Sequence, residues 1–365
     1  MPLKKKAIVR EKPMRKVSRT FATLLWIVTE ILFASAAHAA TGLTGYLHRP
    51  DSWFSGAEAK VVASHILSFQ SPLGGWPKNV NTASAPAKAG APPLPPTFDN
   101  GATVNEMRFL ALIYQSTRDE SYCSAFDRGL DYILKAQYPT GGWSQSYPPD
   151  GSYHRYITFN DNSMVNLMTF IREVATEERY DFVNKDKRAK SAEAFDRGIQ
   201  CILKCQIKVN GRLTAWCAQH DEIDYRPRPA RAFELLSLSG AESVGIVELL
   251  MSLDHPDAAT VSAIECAVAW FESAKITGHK VVEVADARSP GGKDRRLIED
   301  EGAGLLWARF YDIASNRPIF CDRDGIVKNH FSDIGYERRN GYSWLGDWPQ
   351  KMLIKDYPTW QRARK

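Results

Sequence analysis

Residues 125–137 read AFDRGLDYILKAQ, and residues 194–206 read AFDRGIQCILKCQ. Nine of the thirteen positions are identical at an offset of 69 residues, which makes chance an inadequate explanation. In the first copy Phe126, Leu130, Ile133 and Leu134 fall at i, i+4, i+7 and i+8, one apolar face of a helix. Phe195, Ile199, Ile202 and Leu203 repeat that face. A repeat of this length marks stacked supersecondary units, each burying its apolar side against the next.

The repeat extends beyond the helices. Gln137 leads into Gly141-Gly142-Trp143, and Gln70 leads into Gly74-Gly75-Trp76. A looser third version runs from Gln206 to Gly211 and Trp216. Glycine enters left-handed backbone at no steric cost, so the Gly-Gly pairs end their helices. Beyond the first two tryptophans come Phe98-Asp99-Asn100 and Asp161-Asn162, each followed by another helical pattern. Asp and Asn are favoured at helix starts because their side chains accept first-turn amides. Further helical patterns cover residues 234–253, 261–274 and 302–311, and no stretch alternates long enough to predict a sheet. The expected architecture is therefore all-α, an (α/α) toroid of helical hairpins with irregular loops on one rim. Residues 82–96, rich in Ala and Pro, read as a loop bordering that rim.

The first forty residues are of another kind. Eight basic groups precede a short apolar run, residues 21–33, and Ala37-His38-Ala39 follows. This is the pattern of a secretory signal, residues 1–39, with export to the periplasm or medium and a single domain over residues 40–365. The apolar run falls short of the roughly 20 residues that span a bilayer, so no membrane anchor is expected after cleavage. Residues 1–40 hold eight basic and two acidic groups, so without them the formal +5 falls to about −1. A nucleic-acid partner loses its electrostatic basis. The chain is expected to act as a monomer. Six cysteines lack paired Cys-x-x-Cys spacing, which argues against zinc and leaves disulfides open.

Asp99 and Asp161 read as corresponding positions in successive repeats, so a toroid would bring both carboxylates to one rim. Each Asp is equally suited to capping its own helix. Two close carboxylates repel unless a cation or a proton intervenes, and oxygen ligands from Asp and Asn suit calcium. In the third repeat Glu234 stands 18 residues after Trp216, with Arg231 one turn earlier. Arg323, Arg338 and Arg339 lie near Gly-rich and aromatic turns, where bidentate bonds to a carboxylate are favoured. His220 and His154 have no partner at HExxH spacing, and no GxSxG elbow or P-loop occurs.

The segments QSPLGGWPKN, TFDNGAT, QYPTGGW, ITFNDNSMVN, WCAQHDE, PARAFELLSLSG, WARFYD, DRDG and ERRNGYSWLGDWP together resemble the pectate lyases of polysaccharide lyase family 10. The likeness spans residues 50–350. It implies an (α/α) toroid that cleaves α-1,4-polygalacturonate by β-elimination with the help of Ca2+. It further implies Asp99 and Asp161 as metal ligands, with Asn100 nearby. The catalytic base would be Arg231, with Arg226 and Arg228 as alternatives in the same segment. Arg323 and Arg338 would bind substrate carboxylates, and Tyr342, Trp76 and Trp143 complete the expected substrate-binding set.

Two other classes fit the same residues. A toroidal glycoside hydrolase would use two carboxylates, Asp161 with Glu222 or Glu234, as acid and base. A non-catalytic carbohydrate-binding protein would stack Trp76, Trp143, Trp344 and Trp348 on sugars.

Overall fold

The computed structural model describes residues 42–364, so the expected secretory segment lies outside the described residues. Its helical part is a two-row array. The helices are α1 (Ala57–Ser68), α2 (Val104–Thr117), α3 (Glu120–Ala136), α4 (Ser163–Thr176), α5 (Lys185–Cys205), α6 (Glu242–Met251) and α7 (Ala258–Ala274). α2 packs with α3, α4 with α5, and α6 with α7; α2, α4 and α6 form one row, and α1, α3, α5 and α7 the other. The sequence faces explain the packing. Phe126, Leu130 and Ile133 of α3 are buried, as are Phe195, Ile199 and Ile202 of α5, while their polar faces stay in solvent. Asp119, Asn184 and Asp257 cap α3, α5 and α7 by accepting first-turn amides at 2.8–2.9 Å.

The repeated Gln, Arg and Trp residues each have a contact to make. The Gln70 side-chain amide donates to Gly74 O and to Ala125 O, fastening its own turn to the next helix of the outer row. Gln137 does the same with Gly141 O and Ala194 O, and Gln206 with Thr214 O and Ala263 O. The repeat arginines, Arg128 and Arg197, donate back to Gln70 and Gln137. Trp76, Trp143 and Trp216 donate their indole N–H to the carbonyls of Ile66, Ile133 and Ile202. A fourth tryptophan, Trp307, donates in the same way to Phe271 O of α7 at 2.9 Å. Trp307 thus closes a fourth repeat, separated from its helix by an inserted hairpin.

Gly74 and Gly141 are the tight points. Their φ angles are +105° and +96°, and a Cβ at either would overlap the carbonyl of Arg128 or Arg197. Gly74→Ala or Gly141→Ala is expected to lower unfolding free energy by about 2–3 kcal/mol, measured by urea denaturation. An unchanged midpoint would show that the turn relaxes freely.

The all-α expectation is overturned beyond α7. Residues 279–285 and 293–299 form two seven-residue antiparallel strands, with His279 opposite Glu299 and Ala285 opposite Lys293. Both faces of this hairpin are largely exposed, so its sequence carries no apolar alternation to read. Residues 302–311, expected as helix, instead supply the short strands Trp307–Ala308 and Phe310–Tyr311. These pair with Leu345–Gly346 and Leu238–Ser239 and so tie the C-terminal region to the third repeat. A second apolar cluster, which includes Phe233, Phe310, Phe320, Phe331 and Trp344, lies under this region. A short helix, α8 (Tyr336–Gly341), is held to the hairpin by Arg339, which grips Asp294 at 3.0 and 2.9 Å. All six cysteines are free.

Candidate active site

The rim before α2, α4 and α6 is set by the register of the repeats. Phe98 N donates to Gln145 O, Phe159 N to Ala218 O, and Gly240 N to Arg309 O, so Phe98, Phe159 and Gly240 are equivalent. One residue on stand Asp99, Asn160 and Ala241; two residues on stand Asn100, Asp161 and Glu242. The backbone agrees, because Asn100 and Asp161 share left-handed angles, φ 54° with ψ 27° and φ 51° with ψ 30°. Asp99 and Asp161 are therefore not corresponding positions, as the sequence suggested. The segments that carry them nevertheless touch. The third-repeat counterpart is Glu242, not Glu234, which lies in the preceding loop with Arg231.

Neither aspartate caps a helix: Thr103 and Asn162 hold the cap positions, and neither side chain accepts a first-turn amide. Asp99 is buried. Its Oδ2 accepts from Lys78 Nζ and, at 2.6 Å, from Gln145 Nε2. Its Oδ1 is buried with no hydrogen-bond partner. Asp161 is exposed, accepting from Asn160 Nδ2 at 2.7 Å and from Arg309 Nη2 at 3.2 Å. Arg309 also grips the buried Glu242, through Nε at 3.0 Å and through Nη2. Burial opposes the charge on Arg309, but Glu242, Tyr342 and Asp161 outweigh it and raise its pKa.

Lys78, Gln145 and Arg309 share one signal. Each stands two residues after a repeat tryptophan, in Trp76-Pro-Lys, Trp143-Ser-Gln and Trp307-Ala-Arg. Sequence reasoning missed all three, and missed Glu242. The spacing was visible for the first two. For Arg309 it required knowing that Trp307 belongs to the repeat.

Arg231 donates through Nε to Glu234 Oε2 at 2.7 Å and through Nη2 to Oε1. Its guanidinium lies 4.8 Å from the ring centre of Phe233 and 5.9 Å from that of Tyr342. The hydrogen bond to Glu234 raises its pKa, against the cost of burial. Glu234 is lowered in turn, because Arg231 outweighs the desolvation that acts first on it. Tyr342 donates to Glu234 Oε1 at 3.0 Å, and Arg309 stacks over Tyr342 at 5.1 Å. Arg338 and Arg323 sit 4.5 and 5.6 Å from the Phe233 ring, and both grip Glu337. Four guanidiniums thus surround two aromatic rings anchored in the second apolar cluster. Tyr153 links this group to the aspartates. Burial raises its phenol, and Arg231, Glu234 and Asp99 all act on its charge.

The structure places Arg231, Arg323 and Arg338 around one pair of aromatic rings, Phe233 and Tyr342. It removes Trp76 and Trp143 from the substrate-binding set. Both are at most 1% exposed and spend their N–H groups on helix carbonyls. Trp344 is equally buried, which leaves the sugar-stacking binder without three of its four platforms. Arg228 is committed to Asp221 at 2.7 Å, and Arg226 faces Asp224 at 3.5 Å. His220 is buried, accepts from Cys217 N, bonds Tyr225 O through Nδ1, and is pushed down to about 4 by burial. It is a neutral structural histidine.

Among the described residues, no group of three His, Cys, Asp or Glu side chains forms a closed metal site. The donor set at the rim suits an open site instead. Asp99 Oδ1 is a buried anionic oxygen without a donor, and the Asp161 carboxylate lies on the adjoining turn. A hard cation wanting six to eight oxygens would draw the rest from Asn100, water and an anionic ligand.

The pectic acid lyase family profile matches residues 70–353. Among solved structures, a family 10 polysaccharide lyase from Cellvibrio cellulosa is 35% identical, with a TM-score of 0.73. The match covers 84% of this chain and 94% of that one. An aspartate-to-alanine mutant of a family 10 lyase from the same organism, in complex with trigalacturonic acid, matches at 35% identity and a TM-score of 0.73, over 84% and 95% of the two chains. No curated protein matches.

Proposed function

The chain belongs to the pectic acid lyase family, and on that premise we infer that it cleaves α-1,4-polygalacturonate as a pectate lyase, a carbon–oxygen lyase working by β-elimination. The observation that carries the reading is the ring of Arg231, Arg309, Arg323 and Arg338 around Phe233 and Tyr342, beside the two aspartates. Guanidiniums bind carboxylates in bidentate fashion, and every residue of polygalacturonate carries one.

The C5–H of a galacturonate is a very weak acid. Its removal leaves charge that spreads onto the C6 carboxylate, so groups that stabilise that charge accelerate the step. The electron pair of the C5–H bond becomes the C4–C5 double bond. The C4–O bond then breaks, and the departing oxygen takes up a proton. Arg231 is the proposed base at C5, and Arg323 and Arg338 the proposed holders of substrate carboxylates. Bound calcium, held by Asp99 and Asp161 with Asn100 nearby, would supply additional positive charge at the C6 carboxylate. The orphaned Asp99 Oδ1 supports that placement. The signal-like residues 1–39 support export, which would bring the enzyme to its polymer outside the cytoplasm.

The hydrolase alternative is weakened at both of its glutamates. A general acid needs a raised carboxyl pKa, but Glu234 is lowered by Arg231. Glu222 is paired with Arg155 at 3.4 Å. The deciding experiment is an incubation with polygalacturonate. Ultraviolet absorbance from the new conjugated alkene is expected to rise together with reducing ends. Reducing ends without absorbance would mean hydrolysis, and neither signal would mean binding alone.

A further inference from the structure

Of the three glutamates around the arginine ring, Glu337 is the exception. Glu234 and Glu242 have side chains 3% and 2% exposed, whereas that of Glu337 is 59% exposed. The buried pair are fixed counter-ions, since withdrawing either would leave a charge uncompensated in a low-dielectric interior. Glu337 is bound differently. It accepts from Arg323 through Nε at 3.1 Å and Nη2 at 3.0 Å. It also accepts from Arg338 through Nε at 2.7 Å and through Nη2. One exposed carboxylate therefore occupies the side-on face, Nε with Nη2, of both guanidiniums. These bonds, Arg338 first and Arg323 second, hold its carboxyl at about 2, so it is an anion at every working pH.

We propose that Glu337 is a resident stand-in for the substrate carboxylate, displaced when a uronate binds, and that it sets the enzyme's apparent affinity for de-esterified polymer. The inference rests on the reading of Arg323 and Arg338 as carboxylate binders. A guanidinium has a side-on bidentate face, Nε with Nη2, and an end-on face, Nη1 with Nη2. Glu337 holds the side-on face of both arginines, so a uronate can take that face only by exchange. The exchange is feasible because Glu337 is solvated and loses little on release, whereas Arg338 stays fixed on Phe233. It also discriminates. A free carboxylate replaces the lost bonds like for like, but a methyl ester brings no charge and cannot repay the release. In the meantime Glu337 keeps the two arginines from repelling one another and holds them with their forks aligned.

The test is steady-state kinetics of Glu337→Gln on polygalacturonate and on highly methyl-esterified pectin. KM for polygalacturonate is expected to fall about two- to fivefold, the scale of an exposed ion pair. kcat and the KM for esterified pectin should stay put. Asp324→Asn controls for net charge, because Asp324 neighbours Arg323 but pairs with Lys328. A similar fall in that variant, or an equal fall on esterified pectin, would reduce the effect to general electrostatics and overturn the proposal. A KM that rises or does not move in Glu337→Gln would overturn it too, and would make Glu337 a positioning residue. Arg323→Ala separates the underlying reading: if its KM for polygalacturonate is unchanged, the arginines do not bind substrate carboxylates at all. Glu337 lies on the surface, and Glu337→Ala provides a second variant with the same expected direction.

Discussion

Arg231→Ala is expected to lower kcat on polygalacturonate by about a thousandfold or more while leaving the fold intact. General base catalysis contributes about 10²–10⁴-fold. Retained turnover in this variant would remove Arg231 from the chemistry and return attention to Arg228. The environment of Arg231 also dictates the pH response. Its pairing with Glu234 raises its pKa, so the guanidinium is held protonated through neutral pH. So paired, it is a poor base, and its neutral form becomes available only as pH rises. Activity should therefore increase into the alkaline range. Glu234→Gln removes the stabilising anion and lowers the Arg231 pKa, so the rising limb of the kcat–pH profile should move toward neutrality. A limb that stays in place would show that another group titrates there. The kcat of each variant would be followed by ultraviolet absorbance, with circular dichroism confirming the fold.

The second large effect concerns Asp99. Turnover is expected to cease in excess EGTA and to return on adding calcium, and unchanged turnover in the chelator would sink the metal reading. A separate readout does not depend on activity. An ion that binds only the folded state stabilises it by about 2.7 kcal/mol at a hundred times its Kd, so the thermal midpoint should climb with calcium. Asp99→Ala should abolish that climb, because it removes the buried oxygen that has no donor. Asp161→Ala should weaken the climb less, because Asp161 is exposed and shared with Arg309. Equal calcium-induced shifts in wild type and Asp99→Ala would place the ion elsewhere.

The proposed binding face is built in two halves. The helical repeats present Asp99, Asp161 and Glu242 from successive helix starts, and the C-terminal region presents Arg323 and Arg338 on a bed of aromatic rings. Arg309 joins the halves, because its backbone carbonyl accepts from Gly240 while its guanidinium reaches Glu242 and Asp161. Such a seam suits a substrate that must be held at several carboxylates and attacked at one carbon. The hairpin, exposed on both faces, contributes indirectly. Its Asp294 grips Arg339 and Asn340 and so sets the position of the helix bearing Arg338.

What the sequence determined alone was whatever local periodicity and short motifs carry. The helix faces of residues 125–137 and 194–206, the Gly-Gly-Trp turns and the clustered arginine motifs were all legible, because each depends on neighbours a few residues apart. The same locality set the errors. Trp76 and Trp143 looked like sugar platforms, and only packing shows that their rings fill the space beside Gly129 and Gly198. Asp99 and Asp161 looked equivalent, and only the through-space bonds of Phe98, Phe159 and Gly240 reveal a register one residue apart. The fourth repeat was hidden because a hairpin lies between Ala274 and Trp307, and with it went the role of Arg309. Local chemistry can specify a helix and its turn. Which carboxylate meets which guanidinium across the rim is decided by how the repeats stack, and that is a property of the tertiary structure.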